Sequence, residues 1–284
     1  MDILIVAHHQ RPEAVTLAEE ACSWLGARGH RTWMTPEDAH VLGLEHLAAE
    51  LRPGAADLVL SIGGDGTILR TFQLLDGAQS PVIGVNVGML GYLTEVEPPM
   101  MPAALERFVA GDFEIEQRMM LAVSVDRVGD DGGQATTWRS LNEAVLEKHE
   151  SGHTVRLQVG IEGAPFTTYA ADGLIIATPT GSTAYSLSAR GPIVSPTHRA
   201  MVLTPVSPHM LFDRSLVLDP DQAVEVEVLG HRPVDLAVDG RKVASLVEGD
   251  TVRCLAAAEA AMFVRFGRRR FHQILKAKFG LADR

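Results

Sequence analysis

One short stretch of the chain has the makings of phosphate chemistry: Gly63-Gly64-Asp65-Gly66-Thr67, set after an apolar run and before a helical pattern. Glycines reach backbone conformations closed to other residues and let a ligand lie against the main chain. Free N–H groups at a helix start suit phosphate oxygens. A carboxylate in such a loop would repel phosphate if binding were the loop's whole task. Asp65 makes sense there as a base that takes a proton from an attacking hydroxyl, or as a holder of Mg²⁺ between itself and the phosphates. The alternative is a glycine turn whose Asp caps the helix. The stretch has no Walker-loop lysine, and its glycines do not fit the G-x-G-x-x-G dinucleotide pattern.

Two further segments carry polar chemistry. Leu141-Asn142-Glu143 follows a strand-like stretch. Asn both donates and accepts and Glu accepts, which suits a base edge and a sugar hydroxyl; an exposed hairpin edge is the other reading. Asp172-Gly173 leads into the apolar run Leu174-Ile175-Ile176-Ala177. That run breaks into residues 178–188, where seven of eleven residues are Thr, Ser or Gly. Such a stretch lines a polar ligand or forms a capped Ser/Thr turn. Tyr185 within it can stack on an aromatic base.

These segments need a scaffold, and the apolar spacing supplies one. Ile3 to Ala7 reads as a strand buried on both faces. Pro12 opens a helix with Val15, Ala18, Cys22 and Leu25 three and four apart, closed by Gly26 and Gly29. His30 to Met34, Asp57 to Ile62 and Pro81 to Val87 read as strands, and Thr67 to Leu75 as a helix. This rhythm predicts an α/β domain with a mostly parallel sheet. Pro98 to Pro102 breaks the composition, and a short helix follows over 103–110. The period then becomes two: Leu121, Val123 and Val125; Val155, Leu157, Val159 and Ile161; Val224, Val226 and Val228. Gly129 to Gly133, Asp239-Gly240 and Glu248-Gly249-Asp250 read as turns. This half is expected to be a β-rich, sandwich-like domain. Phe271 to Phe279 returns to a basic amphipathic helix.

Composition narrows the partners. With 284 residues, 46% of them hydrophobic, two buried cores are within reach. A formal charge of −11 argues against nucleic acid or an anionic membrane as partner. No run approaches the roughly 20 apolar residues that span a bilayer, and the amino terminus reads as a strand, not a signal peptide. The two cysteines, Cys22 and Cys254, form no metal or disulfide pattern, which fits a reducing, cytoplasmic setting.

Taken in order, the Gly63–Thr67 stretch, Gly84-Val85-Asn86-Val87-Gly88-Met89-Leu90-Gly91-Tyr92-Leu93, Leu141-Asn142-Glu143, and Asp172-Gly173 with residues 178–188 closely resemble the NAD kinase family, from about Ile3 to about Leu281. The glycine loop is shared with diacylglycerol-kinase-like and phosphofructokinase-like enzymes; the 178–188 stretch is far more specific. The ending from Phe266 to Leu281 looks like actinobacterial members.

The resemblance implies a two-domain fold: residues 1–100, with 258–284 packing back, form the α/β domain, and 101–257 the β-rich NAD-binding domain. It implies phosphoryl transfer from ATP or polyphosphate to the 2′-hydroxyl of the adenosine ribose of NAD. Asp65 would be the general base, and Gly66 would allow close backbone approach. Arg70 would sit near the phosphates, the alternative being a solvated arginine on a helix face. Asn142 and Asp172 would bond polar edges of the dinucleotide, and Glu143 a ribose hydroxyl. Thr183, Ala184, Tyr185, Ser186, Leu187 and Ser188 would line the adenosine pocket, with Tyr185 stacking. His153, Ser207 and Arg241 match further lining positions, although His153 also reads as a plain exposed histidine. Mg²⁺ would arrive with the nucleotide and keep several waters, with no protein ligand cage. The family commonly forms dimers or tetramers. Two positions depart from its pattern: Arg190 stands where glycine is usual, and Arg241 where glutamine is common. A lipid or sugar kinase sharing the loop, or an NAD-binding sensor without activity, are the rival readings.

Overall fold

The computed structural model describes residues 1–52, 54–89, 91–129, 136–267 and 271–281. Leu90 of the Gly84–Leu93 stretch and residues 130–133 of the expected turn lie outside them. The chain divides into two compact units, Met1–Gln117 with Ala261–Arg284, and Arg118–Ala260.

In the first unit, β1 (Asp2–Ala7), β2 (Arg31–Trp33), β3 (Leu58–Gly63) and β4 (Val82–Asn86) form a parallel sheet in the order β2-β1-β3-β4. The near-continuous apolar runs of β1, β3 and β4 are what strands covered on both faces require; the short edge strand β2 is buried only at Trp33. α1 (Pro12–Gly26) starts on Pro12, where the missing N–H is not needed. Its buried face is Ala14, Leu17, Ala18, Ala21 and Leu25, rotated from the expected Val15 and Cys22 stripe. The small residues let this helix approach the sheet closely. α2 (Pro36–Leu42) is capped by Thr35, whose hydroxyl accepts the Asp38 N–H at 3.1 Å. α3 (Asp65–Leu75) begins two residues earlier than the apolar pattern suggested, so Asp65 is its first residue. α4 (Met101–Val109) sends Met101, Ala104, Leu105 and Phe108 into the same core as β1, β3 and β4. That packing moves the boundary from residue 100 to Gln117.

The second unit is antiparallel. Its strands are β5 (Glu114–Asp126, from Arg118 onward), β6 (Thr137–Ser140), β7 (Glu143–Lys148), β8 (Val155–Ile161), β9 (Ala164–Ala171) and β10 (Gly173–Ala177). The four-residue α5 (Tyr185–Ser188) precedes β11 (Met201–Val206), β12 (Leu216–Leu218), β13 (Val224–Leu229), β14 (Val234–Val238), β15 (Arg241–Leu246) and β16 (Thr251–Arg265). One sheet runs β12-β11-β10-β7-β14-β15; the other holds β16-β13-β8-β9, with β5 pairing β16 and β6. Val155, Leu157 and Val159 from one sheet meet Leu146, Leu174, Ile176 and Leu236 from the other in a single core. The period-two alternation thus sorts each strand into a core face and an outer face. Asp239-Gly240 turns β14 into β15, as expected.

The last residues of β16 belong to the first unit, where Phe263 pairs in parallel with Val82. α6 (Phe271–Lys278) follows, and its Lys278 ammonium lies 4.4 Å from the centre of the Tyr92 ring.

Candidate active site

β1, β3 and β4 end side by side: Ala7 pairs with Ile62, and Gly63 with Asn86. At this edge Gly63 leaves β3 in a tight turn. A Cβ there would lie 2.1 Å from the Thr67 hydroxyl. Gly64 caps α3 in an extended conformation, and neither Gly64 nor Gly66 has an atom within 4 Å of where its Cβ would be. Asp65 does not cap the helix. Its Oδ2 accepts the Tyr92 N–H at 2.8 Å and its Oδ1 the Leu93 N–H at 2.9 Å. A Cβ on Gly91 would stand 2.1 Å from Asp65 Oδ1, so this glycine makes the approach possible. Main-chain donors therefore hold the carboxylate in one orientation over the start of α3.

Arg70 lies one turn further along α3. It is not the solvated arginine of the alternative reading. Its guanidinium bonds the carboxylate of Asp38 and donates to the Ala7 carbonyl at 2.6 Å. His9 Nε2 meets the same Asp38 oxygen at 2.6 Å. The Asp38 side chain is 1% exposed, and its second oxygen has no hydrogen-bond partner among the described residues.

In the second unit, Asn142 and Glu143 sit where β6 passes into β7. The exposed hairpin edge is excluded, because Glu143 is 6% exposed. A single carboxylate organises this corner. Asp239 Oδ1 accepts the Asn142 and Glu143 N–H groups at 2.8 and 3.2 Å and the Ser140 hydroxyl at 2.6 Å. Its Oδ2 accepts the Leu141 N–H at 2.8 Å. Burial raises the Asp239 carboxyl above its usual range against these donors. Burial, and then the neighbouring Asp239 charge, push Glu143 up to about 8, opposed by a hydrogen bond from the Tyr185 N–H. Glu143 Oε2 is buried without a partner among the described residues.

The hydroxyl stretch is built more tightly than a simple ligand lining. The Thr178 hydroxyl donates to the Leu141 carbonyl at 2.6 Å, and Ser182 to the Pro179 carbonyl at 2.7 Å. Thr183 bonds the Thr180 carbonyl at 3.2 Å, and the buried Ser186 pairs with Thr204 at 3.1 Å. The capped-turn reading is thus correct for these hydroxyls, and Ser186 cannot present its hydroxyl outward as it stands. Gly181 packs on Asn142, where a Cβ would lie 2.0 Å from the carbonyl oxygen. This contact ties the stretch to the Asn142–Glu143 corner. Ala184 donates its N–H to the Gly181 carbonyl at 2.9 Å, and Leu187 is half-buried.

Tyr185, Ser188 and Ser207 line one cavity of about 410 Å³ together with Arg190 and Arg214. Arg190 and Ser207 hold left-handed backbone there, at φ 66° and 45°. The Tyr185 phenol is raised by burial and by the charges of Glu147, Asp172 and Glu143, which brings it into one electrostatic neighbourhood with Asp172 and Glu143. Asp172 is already paired with Lys148 at 2.6 Å. His153 is exposed and lines a different cavity, of about 270 Å³, beside Lys148, His149, His231 and Arg232. Arg241 is exposed at the start of β15. Among the described residues, no three His, Cys, Asp or Glu side chains gather as metal ligands would.

Sequence reasoning missed Asp38, His9 and Asp239 as organisers. Asp239-Gly240 reads only as a turn, and nothing local marks Asp38 as the partner of Arg70.

A glycine loop with a seated carboxylate on an α/β unit, and a polar corner on a β-sandwich, define a phosphotransferase of two dissimilar units. The model of the ATP-NAD kinase N-terminal domain matches residues 3–113, and that of the ATP-NAD kinase C-terminal domain residues 141–266. The NAD kinase of Heliobacterium modesticaldum is 41% identical over 278 residues, 96% of each chain. A yeast NADH kinase solved with NADH superposes with a TM-score of 0.88 at 24% identity, over all of this chain and 89% of that one. A NAD kinase from Archaeoglobus fulgidus solved with ATP gives 0.74 at 23%, over the whole of both chains. At these identities the two structures show the shared fold. The chain belongs to the NAD kinase family, the phosphotransferases that convert NAD to NADP. The likeness read from the motifs is borne out. Among the described residues no helix is long and apolar enough to cross a membrane.

Proposed function

We propose that this chain moves a phosphoryl group from ATP or polyphosphate onto the 2′-hydroxyl of the adenosine ribose of NAD, with Asp65 as the general base. The observation that carries the reading is the carboxylate of Asp65, aimed by the Tyr92 and Leu93 N–H groups and flanked by the open backbone of Gly64 and Gly66. A ribose hydroxyl is a poor nucleophile at neutral pH, and a positioned base contributes about 10²–10⁴-fold. Aligning the reactants and offsetting phosphate charge supply the rest. Gly66 gives the phosphates close access to the main chain. Asn142 and Asp172 hold polar edges of NAD, Glu143 bonds a ribose hydroxyl, and Tyr185 stacks on the adenine, with Thr183, Ala184, Ser186, Leu187 and Ser188 shaping that pocket. His153, Ser207 and Arg241 are peripheral contacts. Mg²⁺ comes with the donor's phosphates, whose charge it offsets. The enzyme works in the cytoplasm as a homo-oligomer.

The test is to incubate the purified protein with NAD, Mg²⁺ and either ATP or polyphosphate, and to read NADP with a coupled NADP-specific dehydrogenase. NADP formed by the wild type and lost in Asp65→Asn supports the reading and names the donor. No NADP with either donor overturns it.

A further inference from the structure

We propose that Arg265 is a positioning residue for the general base: it holds the main chain of Leu93 and the side chain of Glu95, and so keeps the Tyr92 and Leu93 N–H groups aimed at the Asp65 carboxylate. The proposal rests on the reading of Asp65 as the base.

The direction of Asp65 is only as fixed as the two residues whose N–H groups it accepts. Residues 91–95 belong to no helix or strand, so their position depends on what grips them. β4 grips the later part. The Gly84 carbonyl accepts the Glu95 and Val96 N–H groups at 3.1 and 3.0 Å, and the Val96 carbonyl accepts the Asn86 N–H at 2.7 Å. The Thr94 hydroxyl donates to Asn86 Oδ1 at 3.1 Å.

The end of the chain grips the part that touches Asp65. Arg265, the last residue of β16, donates from Nη1 to the Leu93 carbonyl at 3.5 Å and to Glu95 Oε2 at 3.1 Å. Lys278 of α6 lies over the Tyr92 ring. The two residues that orient Asp65 are therefore the two that the chain end contacts. All of these residues lie in the first unit.

Arg265 is itself locked. Its Nε and Nη2 both donate to Glu116 Oε1, at 3.2 and 2.8 Å, and its guanidinium carbon lies 4.9 Å from the centre of the Phe263 ring. Glu95 Oε1 accepts the Phe266 N–H at 3.1 Å, which ties the same carboxylate to the next residue of the chain. The Arg265 side chain is 6% exposed, so these bonds form away from water. A planar fork of five donors can reach one carbonyl and two carboxylates at once, which an ammonium cannot. A buried ion network stabilises little more than apolar packing would; what it adds here is one geometry for the segment.

The experiment measures kcat and KM of the full chain with NAD, ATP and Mg²⁺, in the wild type and in Asp65→Asn. Arg265→Met is expected to lower kcat about 10- to 100-fold, since a misplacement of about 1 Å costs about that much, with KM for NAD and for ATP unchanged. Arg265→Lys keeps the charge without the fork and should recover part of the loss. Added to Asp65→Asn, Arg265→Met should lower kcat no further, because it acts through the carboxylate. Wild-type kcat in Arg265→Met overturns the proposal, provided Asp65→Asn has lost turnover. So does an equal loss in both backgrounds, which would make Arg265 a support of the fold in general. Near-normal turnover in Asp65→Asn instead removes the base reading, and the proposal falls with it. Should Arg265→Met not fold, Arg265→Lys in the two backgrounds carries the same comparison.

Discussion

Asp65 and Leu93 stand 28 residues apart in the chain, and the Leu93 N–H donates to Asp65 Oδ1 at 2.9 Å. With the Tyr92 N–H on the other oxygen, the base is oriented by main chain, which has no rotamers to lose. Asp65→Asn turns an amide NH₂ toward one of these N–H groups. We expect kcat to fall by about 10²–10⁴ and stability by about 1–3 kcal/mol, with NAD affinity little changed. The coupled NADP assay, calorimetry with NAD and a urea titration read the three quantities. Near-normal turnover would remove Asp65 as the base.

The glycines of the two loops separate by what surrounds them. A Cβ on Gly66 meets open space, whereas one on Gly63 or Gly181 meets the Thr67 hydroxyl or the Asn142 carbonyl at 2.1 and 2.0 Å. Gly66→Ala should unfold no earlier than the wild type, since alanine favours a helix by about 0.8–1.0 kcal/mol, yet it should slow NADP formation. Gly63→Ala and Gly181→Ala should lose about 1–3 kcal/mol from overpacking. Full activity in Gly66→Ala would show that no ligand approaches the main chain there.

Glu143 makes stability depend on pH. Its carboxyl is raised from the ordinary 4.5 to about 8, and Asp239 is raised in the same direction. Between those values the folded protein holds a proton that the unfolded chain has released. Stability is therefore greatest below the unfolded pKa and falls as pH rises toward 8, by up to about 1.4 kcal/mol per pH unit for one proton. Glu143→Gln should flatten this slope. Urea titrations across that range test it; an equal slope in the variant would refute the assignment.

Arg70 and Asp38 should respond unequally to substitution. Removing the arginine leaves Asp38, 1% exposed, with the His9 ring nitrogen as its side-chain partner; removing the aspartate leaves an arginine that is 29% exposed and can be hydrated. Breaking a buried pair costs about 3–5 kcal/mol. Arg70→Met should approach that figure, and Asp38→Asn should cost clearly less. Equal losses by urea unfolding would contradict this account.

The elements themselves were legible because apolar periodicity is local. Val224, Val226 and Val228 alternate in the sequence and alternate in burial on β13. Residue types were legible too: Asp65 among glycines announces phosphate chemistry before any fold is known. On α1, Ala18 and Leu25 of the expected stripe are buried, while Val15 and Cys22 pack only partly buried at its side and the smaller Ala14 and Ala21 take the centre of the buried face.

By itself, then, the sequence determined which elements form and which side chains are available for chemistry. Tertiary structure decided what each polar group does. Ser186 carries the same hydroxyl as Ser188, yet one is buried against Thr204 and the other lines a cavity. Asp239 reads as a turn residue, yet it collects the N–H groups of three residues almost a hundred positions earlier. A hydrogen bond depends on position and direction to within a fraction of an ångström. Between segments far apart in the chain, only strand register and packing set those positions.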